Sequence, residues 1–80
     1  MNEGEKAFEY LRKYVGISLN LANSFRDNQR YIKSLKQHTG DLLNRAITVW
    51  TIYYPSIVPE INQLRSRTNR GFESILGGQK

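Results

Sequence analysis

His38 is the single histidine of a chain that has no cysteine. General-base and nucleophilic catalysis place a base beside a Ser or Cys, and metal centres gather several His, Cys or carboxylate ligands. His38 has no such partner at useful spacing. It precedes Thr39-Gly40-Asp41, which reads as a turn, so it suits a solvent-facing or helix-capping side chain. Glu5 and Glu9 stand one helical turn apart and resemble a carboxylate pair. Arg12 and Lys13 follow Glu9 at helical spacing, and ordinary intrahelical ion pairs, worth about 0.2–0.5 kcal/mol each, account for them better. Gly77-Gly78 closes a predicted helix and does not join a strand to a helix, so it is no phosphate loop. These residues make no catalytic, cofactor or metal site. The chain reads as a non-enzyme without a small-molecule substrate.

Two basic groups and the aromatic residues remain. Arg26, Arg30, Lys33 and Gln37 follow i, i+4, i+7, i+11 spacing, which makes one helical stripe able to track a phosphate backbone or an acidic partner. Arg65, Arg67 and Arg70 form the second group, spread over more than one face. Against both stands the plain alternative of a solvated helix surface. Tyr10, Tyr14, Tyr31 and Tyr54 combine area with a polar tip, a pairing enriched at protein interfaces. They serve equally well as core filling in a small domain.

The elements that would position these groups follow from periodicity. Ala46 to Pro55 reads Ala-Ile-Thr-Val-Trp-Thr-Ile-Tyr-Tyr-Pro and holds the single Trp. Its β-branched and aromatic residues favour strand, but neither alternate set makes a clean face. On a helix, Leu42, Leu43, Ala46, Ile47, Val49, Trp50, Tyr53 and Tyr54 share an arc of roughly 160°. Ile52 alone is misplaced, at the edge near Arg45. Pattern outranks propensities of about 0.5–0.7 kcal/mol per residue, so the stretch is predicted helical, opened by Asp41 and stopped by Pro55. Trp50 sits at the centre of its apolar face.

Upstream, Ala7, Phe8, Tyr10, Leu11, Tyr14, Val15, Ile17, Leu19, Leu21, Ala22 and Phe25 cover an arc of roughly 200°. A helix this apolar needs more than one neighbour. Gly16 lies on its polar side and reads as a tolerated surface glycine. Ser24 to Asp27 has the form of a capping box, and a bend or fresh helix start is predicted within 24–28. The alternative is one helix running to about Gln37. Gly40 suits the residue that closes a helix. Downstream, Pro55 and Pro59 enforce a break at 55–59, with Ser56 as a cap. Ile57, Ile61, Leu64, Thr68, Phe72, Ile75 and Leu76 then form a stripe of roughly 120°.

The sequence therefore predicts an all-α fold of three to four helices. Its outline is an antiparallel helical hairpin pivoting near Gly40, with breaks near 24–28 and 55–59. Eighty residues make a single helical domain over 1–80, frayed at 1–3 and 77–80. Such a chain buries only about 60–65% of its unfolded surface. Without disulfides it gains core by self-association, so a homo-oligomeric helical bundle is expected.

The net charge of +5 favours an acidic partner: nucleic acid, membrane headgroups or an acidic protein surface. The acidic residues mixed into the first helix argue against a membrane surface. No apolar run approaches the roughly 17–20 residues needed to cross a bilayer. The start, Met-Asn-Glu-Gly-Glu-Lys, lacks the pattern of a signal peptide. A cytoplasmic location, or one within a virus- or phage-infected cell, is the default expectation. Short, basic, Cys-free helical chains are common among viral accessory proteins and assembly subunits, which is a compositional impression. The leading expectation is a protein-binding module or assembly subunit. The alternative is a nucleic-acid-binding protein that uses Arg26, Arg30, Lys33, Arg67 and Arg70.

Overall fold

The computed structural model describes residues 3–77 and contains three helices: α1 (Glu3–Ser24), α2 (Gln29–Tyr53) and α3 (Val58–Gly77). A single 3-10 turn, Pro55–Ile57, leads into α3. The expected fraying of 1–3 and 77–80 falls largely outside the described residues, while Glu3 and Gly77 are helical. Each helix packs on both others. Leu11 and Val15 of α1 meet Leu43 of α2, Ile57 of the 3-10 turn, and Ile61 and Leu64 of α3. Ala22, Ile32 and Phe72 meet at the opposite end. The order is thus up-down-up, an all-α three-helix bundle 41 Å long and 19 × 15 Å across.

The helix breaks at 24–28 and 55–59 are where sequence places them, for partly different reasons. The first turn is not capped by a Ser24–Asp27 box. Asn28 caps α2 instead, its side chain accepting from the Tyr31 backbone N–H at 3.0 Å. At the second break Pro55 opens the 3-10 turn, no side chain caps it, and Pro59 sits harmlessly in the first turn of α3. Ser56 is therefore not the cap.

The pivot near Gly40 is overturned. α2 runs through Gly40 without interruption, and no described glycine has a positive φ. Asp41 is an interior residue of α2 and not an N-cap, and His38 is helical and solvent-exposed rather than in a turn. The physical reason lies in the periodicity on both sides. Ile32, Thr39 and Leu43 are buried at 7- and 4-residue intervals, and Ala46, Ile47 and Trp50 continue the same face. One interior glycine costs about 1 kcal/mol relative to Ala, and an unbroken apolar face outweighs that. A Cβ on Gly40 would meet no atom within 4 Å. Gly40→Ala is accordingly expected to raise stability by about 0.5–1 kcal/mol in urea or thermal unfolding. A loss of stability would show that this glycine is needed for something other than helix.

Two hydrophobic clusters share the bundle, and hydroxyls lie between them. In α1, Ser18 falls between Val15 of one cluster and Ala22 of the other. In α2, Thr39 falls between Ile32 and Leu43, and in α3 Thr68 falls between Leu64 and Phe72. All three are buried. Thr68 Oγ1 donates to the Leu64 carbonyl at 2.6 Å, whereas Thr39 Oγ1 has no partner. An unsatisfied buried hydroxyl costs about 1–3 kcal/mol. Thr39→Val, nearly the same shape without that cost, is expected to stabilise the fold by about 1 kcal/mol. Thr68→Val should lack this gain. Chemical unfolding of the two variants side by side checks the difference.

Gly16 is open to solvent, as expected, and the close helix approach occurs elsewhere. A Cβ on Gly71 would stand 3.0 Å from Leu19 Cδ2, so Gly71 lets α3 lie against α1. Trp50 is only half-buried. Its ring packs on the first cluster and stacks tilted on Tyr54, centroids 5.4 Å apart, and edge-on to Tyr53 at 6.4 Å.

Candidate functional site

The three-helix arrangement does not cover the apolar arc of α1. Leu11, Val15, Ser18 and Ala22 face inward. Tyr10, Ile17, Leu21 and Phe25 remain exposed, Tyr10 by 74% and Ile17 by 59%. Together with half-buried Tyr14 these positions step 4, 3, 4 and 4 residues along the chain. That alternation keeps one narrow seam on one side of a helix. The seam runs about 22 Å, at 1.5 Å per residue.

Which side of the bundle this is follows from two contacts. Leu19 of α1 touches α3 at Gly71, so the Tyr10–Phe25 seam, on the other flank of the α1 core stripe, borders α2. Phe25 confirms the placement through an edge-on contact with Tyr31 of α2, centroids 5.3 Å apart. On α2, Lys33, Lys36, Gln37, Gly40 and Asn44 line the groove toward α3. Tyr31, Leu42, Val49 and Tyr53 lie on the opposite flank by helical spacing. Val49 and Tyr53 are exposed, Tyr53 by 69%. The seam and these residues together form one apolar face along the α1–α2 side. Ile52, also exposed, points away from it, as its misfit on the wheel anticipates. Among the described residues no large hydrophobic of α3 is exposed, so the apolar surface is confined to α1, α2 and Phe25 in the turn between them.

The face is at the upper end for a free surface. Scaled by exposures of 37–74%, about 150–250 Å² per aromatic side chain and somewhat less per aliphatic one gives its six exposed side chains roughly 600 Å². The largest apolar patch on a typical monomer is about 300–600 Å². Lys6, Glu9 and Lys13 border Tyr10 at one end of this surface, and the rest of the seam offers apolar contact and tyrosine hydroxyls. Among the described residues no group of three or more His, Cys, Asp or Glu side chains is placed to hold a metal ion. Among the described residues no helix is long and apolar enough to cross a membrane.

The candidate aromatics divide accordingly. Tyr10 is fully on the face, and Tyr14 and Tyr31 are half-buried along it. Tyr54 belongs to the core, packed against the first cluster beside Trp50. Sequence reasoning missed Val49 and Tyr53 as exposed members, since their wheel position matched that of the buried residues. Only the position of α3 decides which part of that wide arc is covered.

The basic stripe is not continuous. Arg26 lies in the turn before α2, which begins at Gln29, so the helical stripe starts at Arg30. Arg30 is exposed, and Lys33 lines the α2–α3 groove with Lys36, Asp41, Arg65 and Glu73. That groove is largely self-satisfied. Lys36 pairs with Glu73, and Arg65 donates to Asn44 Oδ1 at 2.7 Å. Arg67 and Arg70 sit apart on the outer surface of α3 with Asn62, Gln63 and Ser66. The structure thus does not merge the five basic candidates into one site. Glu9 pairs with Arg12 at 2.9 Å on the exposed side of α1, an ordinary i, i+3 bridge.

Comparison with protein-family models, with curated proteins and with solved structures finds no match to this chain. The fold and face define an all-α three-helix bundle with one uncovered apolar side.

Proposed function

We propose that the protein is a non-enzymatic binding module or assembly subunit acting through protein–protein contact on the α1–α2 face. The observation that carries this reading is the exposed seam Tyr10, Tyr14, Ile17, Leu21 and Phe25, joined by Val49 and Tyr53. An apolar area of this extent is a cost to a free protein and a source of affinity in a complex. Its aromatic content is that of interface centres, where a few Tyr, Trp and Arg residues dominate binding. Affinity capture from the native host, with and without nuclease, tests the reading. Capture of a protein that survives nuclease is expected, and capture that disappears with nuclease would contradict it.

A second reading, nucleic-acid binding, is favoured by Arg67 and Arg70 on a wholly polar part of α3 and by exposed Arg26 and Arg30 at the α1–α2 turn. None of them takes part in the Arg12–Glu9 or Lys36–Glu73 pair. Phosphate contacts release counterions, so such binding would fall steeply with salt. Loss of any nucleic-acid shift in Arg67→Ala/Arg70→Ala would locate it there. An absence of any shift at low salt would remove this reading.

A further inference from the structure

We infer that the occupant of the α1–α2 face is a second copy of this chain, docked antiparallel about a two-fold axis that crosses the seam at Ile17. This rests on the reading of that face as the interaction surface and names its partner.

Three observations lead there. The first is area. The roughly 600 Å² presented by the six exposed side chains is about three quarters of the ~800 Å² per partner of a standard stable interface. Half-buried Tyr14, Tyr31 and Leu42 along the same face add to it. The second is core size. The bundle's hydrophobic interior is split by Ser18, Thr39 and Thr68, and one half has only Ala22, Ile32 and Phe72 fully buried. The chain has no cysteine to staple it. A small domain so built gains stability by joining apolar faces.

The third is the arrangement of the seam itself. A two-fold interface must be self-complementary, residue i meeting j′ and j meeting i′. Tyr10, Tyr14, Ile17, Leu21 and Phe25 carry aromatic rings at both ends and Ile17 in the middle. Run antiparallel, Tyr10 meets the Phe25 of the other copy, Tyr14 meets Leu21, and Ile17 meets itself. Each ring then has an apolar partner. Run parallel, Tyr10 and Tyr14 would each face their own kind, with two phenol hydroxyls to accommodate at each pairing. The antiparallel dimer places α1 and α2 of both copies in one central four-helix layer, with each α3 outside it. Arg67 and Arg70 remain on the outer surface of the assembly.

Sedimentation equilibrium of the full chain at micromolar concentration tests this. The expected result is twice the 9.3 kDa chain mass. Ile17→Glu should return the chain to monomer mass with unchanged far-UV circular dichroism, weakening self-association at least 100-fold. A second variant keeps the test independent of folding. Ile17→Cys supplies the only thiol, and because Ile17 meets itself it should oxidise to a covalent dimer, whereas Gln63→Cys on the outside of α3 should not. A wild-type chain that sediments as a monomer, an Ile17→Glu variant that stays dimeric, or equal linkage through Gln63→Cys would overturn the inference. A monomer that still captures a host protein through the same seam would overturn only this inference and leave the broader binding role standing.

Discussion

Phe72→Ala is expected to cost about 3–5 kcal/mol of folding stability, the largest effect of any single truncation in the chain. Phe72 is fully buried, and it is the largest side chain in the cluster it shares with Ala22 and Ile32. Leu19, Leu35, Ile75 and Leu76 pack around it only partly buried. Losing the ring leaves a cavity that Ala22 is too small to fill. Neighbouring Gly71 is already closed against Leu19 at 3.0 Å from the position of an added Cβ, so α1 and α3 cannot draw closer there. A domain of this size is held by a margin of about 5–15 kcal/mol or less, so the variant should be partly unfolded at 37 °C. Urea unfolding followed by circular dichroism gives the number. A loss under 1 kcal/mol would mean that the Phe72 end of the bundle is not packed as described.

Tyr10→Ala/Phe25→Ala is expected to do the reverse, sparing the fold and removing association. Tyr10 is 74% exposed and Phe25 51%, so truncating them gives up little native packing. The main structural loss is the edge-on Phe25–Tyr31 contact, worth about 0.5–1.5 kcal/mol. Tyr10 and Phe25 stand at the two ends of the seam, where an aromatic truncation costs about 1 kcal/mol, and a two-fold dimer loses two of each. These four truncations should weaken self-association by roughly three orders of magnitude, at about 1.4 kcal/mol per tenfold. Unfolding and sedimentation of the same preparation separate the two effects. A variant that unfolds with the wild type's midpoint and associates as tightly would remove the face from the account.

The contrast between these variants marks how far the sequence could be read. Helix content, the breaks at 24–28 and 55–59, and the buried stripe of α3 follow from local pattern and proline chemistry, which need no knowledge of the third dimension. Gly40 misled because a glycine after His38-Thr39 has the composition of a helix stop, yet its cost of about 1 kcal/mol is local. The buried face that continues through Leu43 and Trp50 is a tertiary gain invisible in a short window. Trp50 shows the same limit in the other direction. Its wheel position is central, but it lies at the end of α2 beside the Tyr54–Pro55 turn and stays half-buried. Truncating it should therefore cost less than the 3–5 kcal/mol of a fully enclosed ring.

The excess apolar arc of α1 was readable, and part of it is exposed in the bundle. Which residues stay uncovered was not, because that depends on where α3 docks. Gly71 against Leu19 fixes that docking, and its place inside the α3 stripe, unlike Gly16 on the polar side of α1, was the signal for it. The Arg26 stripe failed for a simpler reason: Asn28, and not Ser24, caps the second helix, which leaves Arg26 in the turn.

The most direct test of the interaction face compares two surface variants in one capture experiment from the native host, nuclease present throughout. Tagged Tyr10→Ala/Phe25→Ala and tagged Arg67→Ala/Arg70→Ala are set beside the wild type. The α1–α2 face predicts that the first loses its bound protein, an untagged copy of this chain included, and that the second keeps it. Retention by the first and loss by the second would contradict the account and move the site to the outer surface of α3.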